Sequence, residues 1–143
     1  MKKISIVTPT YNEEENIELL CEKIKNEFVQ LKYEYEHIVI DNNSTDNTIP
    51  ILRRICENDK NVKVIINNKN YGHINSPFYG ILQSSGDATI LFASDFQDPI
   101  ELIPKLINEW ENNQKIVLLQ KRTSEENILM KNIRKIYYRV LTR

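Results

Sequence analysis

The sequence lacks a long hydrophobic run, has few cysteines and carries almost no net charge, and each shortage excludes a class of protein. The apolar stretch from Ile4 to Val7 is short and interrupted by Ser5, so it predicts neither a signal peptide nor a membrane span. Cys21 and Cys56 show neither metal-ligand spacing nor a disulfide framework, which indicates reduced core thiols in a cytosolic protein. The net charge of −1 gives no electrostatic reason to expect nucleic-acid binding.

The composition that remains is that of one soluble globular domain. A chain of 143 residues can bury a core, and a 41% hydrophobic and 27% charged content is ordinary for such proteins. No internal repeat, low-complexity tract or linker interrupts it. The charge is unevenly distributed, because the segment from Lys115 onward carries eight basic and two acidic residues while the rest of the chain is acidic.

Strand-like and helix-like segments alternate along the chain, which predicts a mainly parallel sheet with helices on both faces. Apolar residues at three- and four-residue spacing from Ile17 to Leu31 predict an amphipathic helix. The run from Ile90 to Ala93 predicts a strand that is buried on both faces. The predicted strands are 4–8, 37–40, 62–66, 90–93 and 115–120, and the predicted helices cover about 13–31, 49–56, 75–85 and 99–112.

Polar clusters follow three of the predicted strands. They are Pro9–Asn12, Asp41–Asp46 and Ser94–Asp98. Because the carboxyl ends of parallel strands meet at one edge of a sheet, these clusters would gather there and form a ligand site. Ordinary loop chemistry also enriches Asn, Asp and Ser, so capped, solvated loops are the alternative. Asp98 before Pro99 is typical of a helix cap and first helical residue, and Pro104 would then kink that helix.

These motifs, in their order and spacing, resemble the family-2 glycosyltransferases over nearly the whole chain. The match rests on Thr8–Glu14, Asp41–Asp46, Asn70–Gly72 and Asp95–Pro99, with Gly80 and Gly86-Asp87 between them. It is closest to the polyprenyl-phosphate branch, which includes dolichyl-phosphate mannosyltransferase and bacterial undecaprenyl-phosphate glucosyltransferases. The resemblance implies a three-layer α/β/α GT-A fold, a UDP- or GDP-linked sugar donor, and Mg²⁺ or Mn²⁺ as cofactor.

The resemblance also implies roles for residues after the first two strands. Pro9, Tyr11 and Glu13 match the loop that family members place around the base and ribose of the donor. Asp41 and Asn42 match an acidic pair that contacts the nucleoside. Asn42 departs from that pair, and because an amide both donates and accepts hydrogen bonds, the base preference of this chain is open.

The metal motif of the family falls after the predicted fourth strand. Ala93, Ser94 and Asp95 match an Asp-x-Asp motif whose first acid is absent here, and Ser94 is counted with the donor-binding residues. Asp95 and Gln97 are the implied metal ligands, with Asp95 also catalytic. Mg²⁺ is commonly held by one or two carboxylates together with substrate phosphates, so one acid is compatible with a metal site.

Two arginines beyond the predicted fifth strand are implied to bind the donor. Arg122 matches an arginine that family members aim at the diphosphate, and bidentate guanidinium–phosphate pairing gives the physical and catalytic reason. Arg134 is a second candidate for the same work. His73 stands where relatives often carry lysine, and as a single loop histidine it is interpreted as structural or solvated.

The C-terminal segment has two interpretations. Apolar residues from Ile128 to Leu141 share one helical stripe with bases interleaved, including Lys135 and Arg139. Residues 123–143 are therefore predicted to form a basic amphipathic helix beside a nucleotide-sugar-binding domain of residues 1–122. The helix either packs on that domain or lies against anionic lipid at the inner face of a membrane.

The residues and the resemblance together favour a glycosyltransferase that acts on a polyprenyl phosphate or a cell-surface glycan precursor. The alternative is a nucleotide-sugar-binding module with little or no turnover. Family members usually continue past this length, which leaves open a truncation on the acceptor side; Glu125 and Glu126 are the only acids after the predicted fifth strand and are interpreted as solvated.

Overall fold

A computed structural model describes residues 1–120 of the chain. Strands and helices alternate, as predicted. The strands are β1 (Lys3–Thr10), β2 (Glu34–Asp41), β3 (Val62–Ile66) and β4 (Ala88–Leu91), and the helices are α1 (Ile17–Gln30), α2 (Thr48–Asn58), α3 (Gly72–Leu82) and α4 (Ile103–Glu111), with a 3₁₀ turn at Ile100–Leu102. Within residues 1–120, no helix is long and apolar enough to cross a bilayer.

The four strands form one parallel sheet in the order β3-β2-β1-β4. Successive strand residues point to opposite faces, so the two faces have different partners. Ile6 and Val39 join the buried cluster with side chains of α1, α2 and α4. Val7 and Ile40 face α3, where a Cβ on Gly80 would lie 2.7 Å from Val7 Cγ1. The arrangement is the predicted three-layer α/β/α architecture.

The predicted fifth strand is wrong within the described residues, because 115–120 has no strand structure. Ile116 is 80% exposed and Leu118 is 86% exposed. An apolar run becomes a strand only where a neighbouring strand offers hydrogen-bond partners, and among residues 1–120 β4 pairs only with β1. The prediction that Ile90 to Ala93 is buried on both faces is also wrong, because Leu91 is 51% exposed on a strand that lies at the edge of the sheet formed by residues 1–120.

The start of the last described helix also differs from the prediction. Pro99 opens a 3₁₀ turn without a side-chain cap, so Asp98 is not a helix cap. Pro104 lies in the first turn of α4, where backbone N–H groups make no hydrogen bonds within the helix. The N–H that proline lacks is therefore not needed there, and Pro104 causes no kink. Likewise α1 begins at Ile17, after a turn in which the Glu13 carbonyl accepts the Asn16 and Ile17 amides.

Gly86 does not end α3, which finishes at Leu82. It lies instead against β1, where an added Cβ would be 2.8 Å from the Lys3 carbonyl oxygen. The Gly86 amide donates to Ser5 Oγ at 2.9 Å, and the Asp87 carboxylate accepts from the Lys3 amide at 2.8 Å.

Both cysteines are free thiols, and burial raises the pKa of the Cys21 thiol to about 12.

Candidate active site: a cleft at the carboxyl edge of the sheet

A cleft of about 440 Å³ lies at the carboxyl ends of β1, β2 and β4, where ligands of open α/β sheets bind. The β1 loop forms one wall, the end of β4 another, and the first turns of α3 the third. The lining residues are Pro9, Thr10, Tyr11, Glu13, Asn42, Asn70, Gly72, His73, Ser76, Pro77, Ala93, Ser94 and Asp95. Six of the predicted donor-binding residues are among them: Pro9, Tyr11, Glu13, Asn42, Ser94 and Asp95.

The β1 loop is fixed to the loop after β2 by side chains that cap backbone amides. The Asn12 amide donates to Ser44 Oγ at 2.9 Å, and Asn12 Oδ1 accepts the Thr45 amide at 2.8 Å. The Glu13 amide donates to Thr48 Oγ1 at 2.8 Å. Asn12 itself has φ 54°, a left-handed conformation that asparagine tolerates better than most residues. Two polar clusters that are distant in sequence therefore form one rigid rim.

Tyr11 and Glu13 present their side chains on this rim. Tyr11 is 46% exposed, so its ring is accessible to a planar ligand group. Glu13 accepts from Asn16 Nδ2 at 2.8 Å through Oε2, which orients its carboxylate. Across the floor, Ser94 Oγ donates to the Pro9 carbonyl at 3.2 Å and joins the β4 end to the β1 end.

The two residues that end β2 have different surroundings. Asp41 is fully buried and is not among the residues that line the cleft. Its carboxylate accepts the Ser44 amide at 2.9 Å and the Ser44 hydroxyl at 2.5 Å, so it shapes the turn behind the rim. Asn42 faces the cleft, and its amide contacts the loop that precedes α3.

Asp95 is the carboxylate at the end of β4 that faces the cleft. It is exposed, and its Oδ1 accepts the Gln97 amide at 3.2 Å across Phe96, which has φ 55°. Gln97 is not among the lining residues. No group of three or more His, Cys, Asp or Glu residues that could hold a metal occurs within residues 1–120. A single exposed carboxylate fits a cation whose other ligands are substrate phosphates and water.

The α3 wall was not predicted from the sequence. Asn70, Gly72, His73, Ser76 and Pro77 line it. His73 lies in the first turn of α3 instead of a loop, and its side chain is exposed at the cleft. The signal was available, because Asn70–Gly72 follows β3 and belongs to the motifs that carry the family resemblance. Thr10 and Ala93 line the cleft as well.

Within the described part of the chain, no positively charged side chain lines the cleft. No lysine or arginine from residues 1–120 is among its lining residues. The predicted diphosphate ligands Arg122 and Arg134, together with the predicted helix at 123–143, lie outside the described residues.

The comparisons with known proteins give the family. Residues 5–140 match the model described as glycosyl transferase family 2. The chain belongs to this family. It is 34% identical over 144 residues to an undecaprenyl-phosphate 4-deoxy-4-formamido-L-arabinose transferase of Photorhabdus laumondii, with 100% of this chain and 44% of that protein covered. The chain thus spans less than half the length of that curated relative, and its likeness to the polyprenyl-phosphate branch is confirmed.

Solved structures agree on the fold of this family-2 chain. S. aureus TarS in complex with UDP-GlcNAc superimposes with a TM-score of 0.63 at 21% identity, over 87% of this chain and 38% of that one. Glucosyl-3-phosphoglycerate synthase from Mycobacterium tuberculosis, solved with Mn²⁺, UDP and glucosyl-3-phosphoglycerate, gives a TM-score of 0.58 at 26% identity, over 76% of this chain and 39% of that one. The predicted GT-A type of fold is therefore confirmed.

Proposed function

We propose that this chain carries the donor-binding site of a glycosyltransferase that takes a sugar from a UDP- or GDP-linked donor. The observation that carries the proposal is the cleft itself. It lies at the carboxyl edge of the sheet and is lined by six residues that the family resemblance assigns to the donor. The chain that forms it belongs to glycosyl transferase family 2. The TarS and synthase neighbours, named as complexes with UDP-GlcNAc and UDP, support a nucleotide diphosphate as ligand.

The side chains of the cleft suit the parts of such a donor. Tyr11 offers a half-exposed ring on which a base can stack, and Glu13 offers a carboxylate that can accept from ribose hydroxyls. Pro9 and Ser94 form the floor between them. Asp41, which holds the turn of residues 41–44 behind the rim, acts by shaping the site.

Asp95 is the residue we assign to a divalent cation, Mg²⁺ or Mn²⁺, with Gln97 as a second ligand. The synthase neighbour was solved with Mn²⁺. When bound, the cation supplies charge neutralisation at the leaving diphosphate. Asp95 would hold it beside the cleft floor, and Arg122, with Arg134 as a second candidate, would pair with the diphosphate oxygens.

For the whole protein we propose a polyprenyl phosphate or another cell-surface glycan precursor as acceptor, and a site of action in the cytoplasm at the inner face of the membrane. The undecaprenyl-phosphate relative supports this choice. Transfer assays with labelled UDP-glucose or GDP-mannose and a polyprenyl phosphate distinguish a transferase from the alternative of a binding module without turnover.

Divalent metal is expected to increase nucleotide affinity, and Asp95→Asn is expected to remove that increase. The substitution replaces a charged ligand by an amide of the same shape, so the cleft keeps its form while the cation loses its carboxylate. The measurement is calorimetric titration with UDP, GDP and their sugars, in Mn²⁺ and in EDTA.

Asp98→Asn is the matched control for this experiment. It removes one negative charge three residues away, at a side chain that neither lines the cleft nor caps a helix. The control is expected to retain the metal-dependent increase. Equal nucleotide affinities in Mn²⁺ and EDTA for the unmodified chain would contradict the metal assignment.

We further propose that residues 123–143 form an interfacial helix on anionic lipid. The expected result is co-sedimentation with phosphatidylglycerol-containing vesicles at low salt and release at high salt, because ions screen each charge pair. Replacing Lys135 and Arg139 by glutamate should abolish binding, and replacing two exposed lysines of the folded domain, Lys32 and Lys60, should not. Vesicle binding that survives the first pair of substitutions would favour a helix packed on the domain.

A further inference from the structure

We propose that Asn42 is a positioning residue that holds the α3 wall of the cleft in place, and that this role requires an amide. The inference rests on the proposed function, since the α3 wall is one of the surfaces against which the donor would bind. Asn42 follows β2 directly, is only 7% exposed and lines the cleft together with Asn70, Gly72 and His73. It is therefore placed between the sheet edge and the start of α3.

Both ends of the Asn42 amide are engaged by the loop between β3 and α3. Oδ1 accepts the Tyr71 amide at 2.8 Å and Asn67 Nδ2 at 3.2 Å. Nδ2 donates to Asn70 Oδ1 at 2.8 Å and to the Gly72 carbonyl at 3.4 Å. An amide has two donor hydrogens and two acceptor lone pairs, so these contacts use its full capacity and leave none for a ligand.

The orientation of both amides is set by backbone donors. The Tyr71 N–H can only donate, so it requires the oxygen of Asn42 on its side and directs Nδ2 toward Asn70 and Gly72. The Gly72 N–H donates to Asn70 Oδ1 at 2.8 Å, so it requires the oxygen of Asn70 there and prevents the Asn70 amide from turning over. Asn42 therefore has to be a donor at this contact.

An ionised aspartate at position 42 cannot make this contact. Its second oxygen would face Asn70 Oδ1 and the Gly72 carbonyl at the same positions, three acceptors with no hydrogen between them. The Tyr71 and Asn67 bonds would survive, because they need only an acceptor. The loss is therefore confined to the side of the network that carries Asn70 and Gly72, which is the side that lines the cleft.

The Asn42→Asp variant tests the proposal with two readouts. Donor affinity, measured with UDP-GlcNAc and GDP-mannose by calorimetry, is expected to fall about tenfold at pH 8. In the ligand-free protein, NMR is expected to show faster exchange of the Gly72 amide and an unchanged Tyr71 amide. A protonated carboxyl can donate again, so the affinity ratio of variant to wild type is expected to recover as the pH falls to 5. The other ionisable groups that face this position are Glu13, His73 and Asp95 in the cleft and Asp41 beside it, and the wild type, which has all four, is measured at each pH as the reference.

Two matched variants separate the amide requirement from the added charge. Asn68→Asp adds the same charge to the same loop at a side chain that acts as an acceptor from Tyr71 Oη, and it is expected to bind donor like the wild type. Asn70→Asp keeps the oxygen that accepts from Asn42 and Gly72, so the Gly72 amide is expected to exchange as in the wild type. Thermal unfolding checks that each variant is folded.

The outcomes distinguish this inference from the proposed function. A weaker donor affinity with an unchanged Gly72 amide, or without recovery at low pH, would show a direct ligand contact and overturn the positioning role. Wild-type affinity in Asn42→Asp would overturn it as well. If the wild type binds no nucleotide sugar, the proposed function fails, and the Gly72 and Tyr71 amides still decide whether Asn42 holds the wall.

Discussion

Replacing Glu36 with alanine is expected to lower the free energy of unfolding by about 3–5 kcal/mol, because it removes the shared acceptor of several hydrogen-bond donors of Ser5 and Ser85. Glu36 lies in β2 on the α3 side of the sheet and is 1% exposed. Its carboxylate accepts from Ser5 Oγ at 2.6 Å, from the Ser85 amide at 2.7 Å and from Lys63 Nζ at 2.5 Å, with Lys3 Nζ at 3.3 Å. Without it, Ser5 and Ser85 keep donors that have lost their acceptor.

The lowered pKa of Glu36 supports the same expectation. Burial alone would raise the pKa of Glu36, but hydrogen bonds from Lys63, Ser5 and Ser85 outweigh burial and hold that pKa well below its usual value. A carboxyl group with a lowered folded pKa contributes stability at neutral pH, and that stability is lost as the pH falls below the unfolded value near 4.5.

Glu34→Ala is the matched control, since Glu34 lies in the same strand, two residues earlier, and is exposed. Chemical denaturation of both variants is the measurement. We expect Glu34→Ala to change stability by less than about 0.5 kcal/mol, as is usual for surface sites. A similar small change in Glu36→Ala would show that the network contributes little.

A second large effect is expected from pH, because His37 is buried and uncharged in the folded protein. Burial lowers the pKa of His37 from 6.5 to about 4, against the weaker opposing effect of the Asp59 charge. Nε2 hydrogen-bonds with Thr8 Oγ1 at 2.9 Å, and Nδ1 has no hydrogen-bond partner among the described residues. A proton added here would therefore be poorly solvated.

The sign of the effect follows from linkage. Below pH 6.5 the unfolded chain binds a proton at His37 that the folded chain does not. The free energy of unfolding therefore decreases as the pH is lowered from 6.5 to about 4. The full difference corresponds to about 3 kcal/mol, of which about 2 kcal/mol is lost between pH 7 and pH 5. Denaturation curves at both pH values measure it.

Two glutamine variants show whether His37 is responsible. His37→Gln removes the titrating group and is expected to abolish most of the difference between pH 7 and pH 5, whatever its own stability. His73→Gln removes an exposed histidine and is expected to leave the difference intact. A pH dependence that persists in His37→Gln would assign it to other groups.

Hydrophobic periodicity predicted most elements of the fold because it is a local property. The spacing of apolar residues placed α1 almost as observed, at Ile17–Gln30, and β3 was predicted with the bounds found, Val62–Ile66. Errors arose where an element depends on a distant partner. Residues 115–120 have the composition of a strand but no neighbouring strand in the described structure. The run from Ile90 was predicted to be buried on both faces, although β4 lies at the edge of the sheet formed by residues 1–120.

For the candidate site, too, the sequence predicted the positions of residues along the strands better than their tertiary contacts. Pro9 lies near the end of β1, and Tyr11, Glu13, Ser94 and Asp95 follow strand ends, so the rule that parallel strands share one carboxyl edge brings these residues together whatever their side chains do. Side-chain direction is a different matter. Asp41 and Asn42 are adjacent, yet only Asn42 faces the cleft, because neighbouring residues at a strand end point to opposite sides.

By itself, the amino-acid sequence determined the α/β class, the family and the edge of the sheet that carries the site, since these follow from local patterns and their order along the chain. Only the tertiary structure decided that Asn42 is saturated by Asn67, Asn70, Tyr71 and Gly72, and that α3 supplies one wall of the cleft. The physical reason is that a hydrogen bond depends on the distance and direction between groups about 30 residues apart in sequence, and spacing along the chain specifies neither.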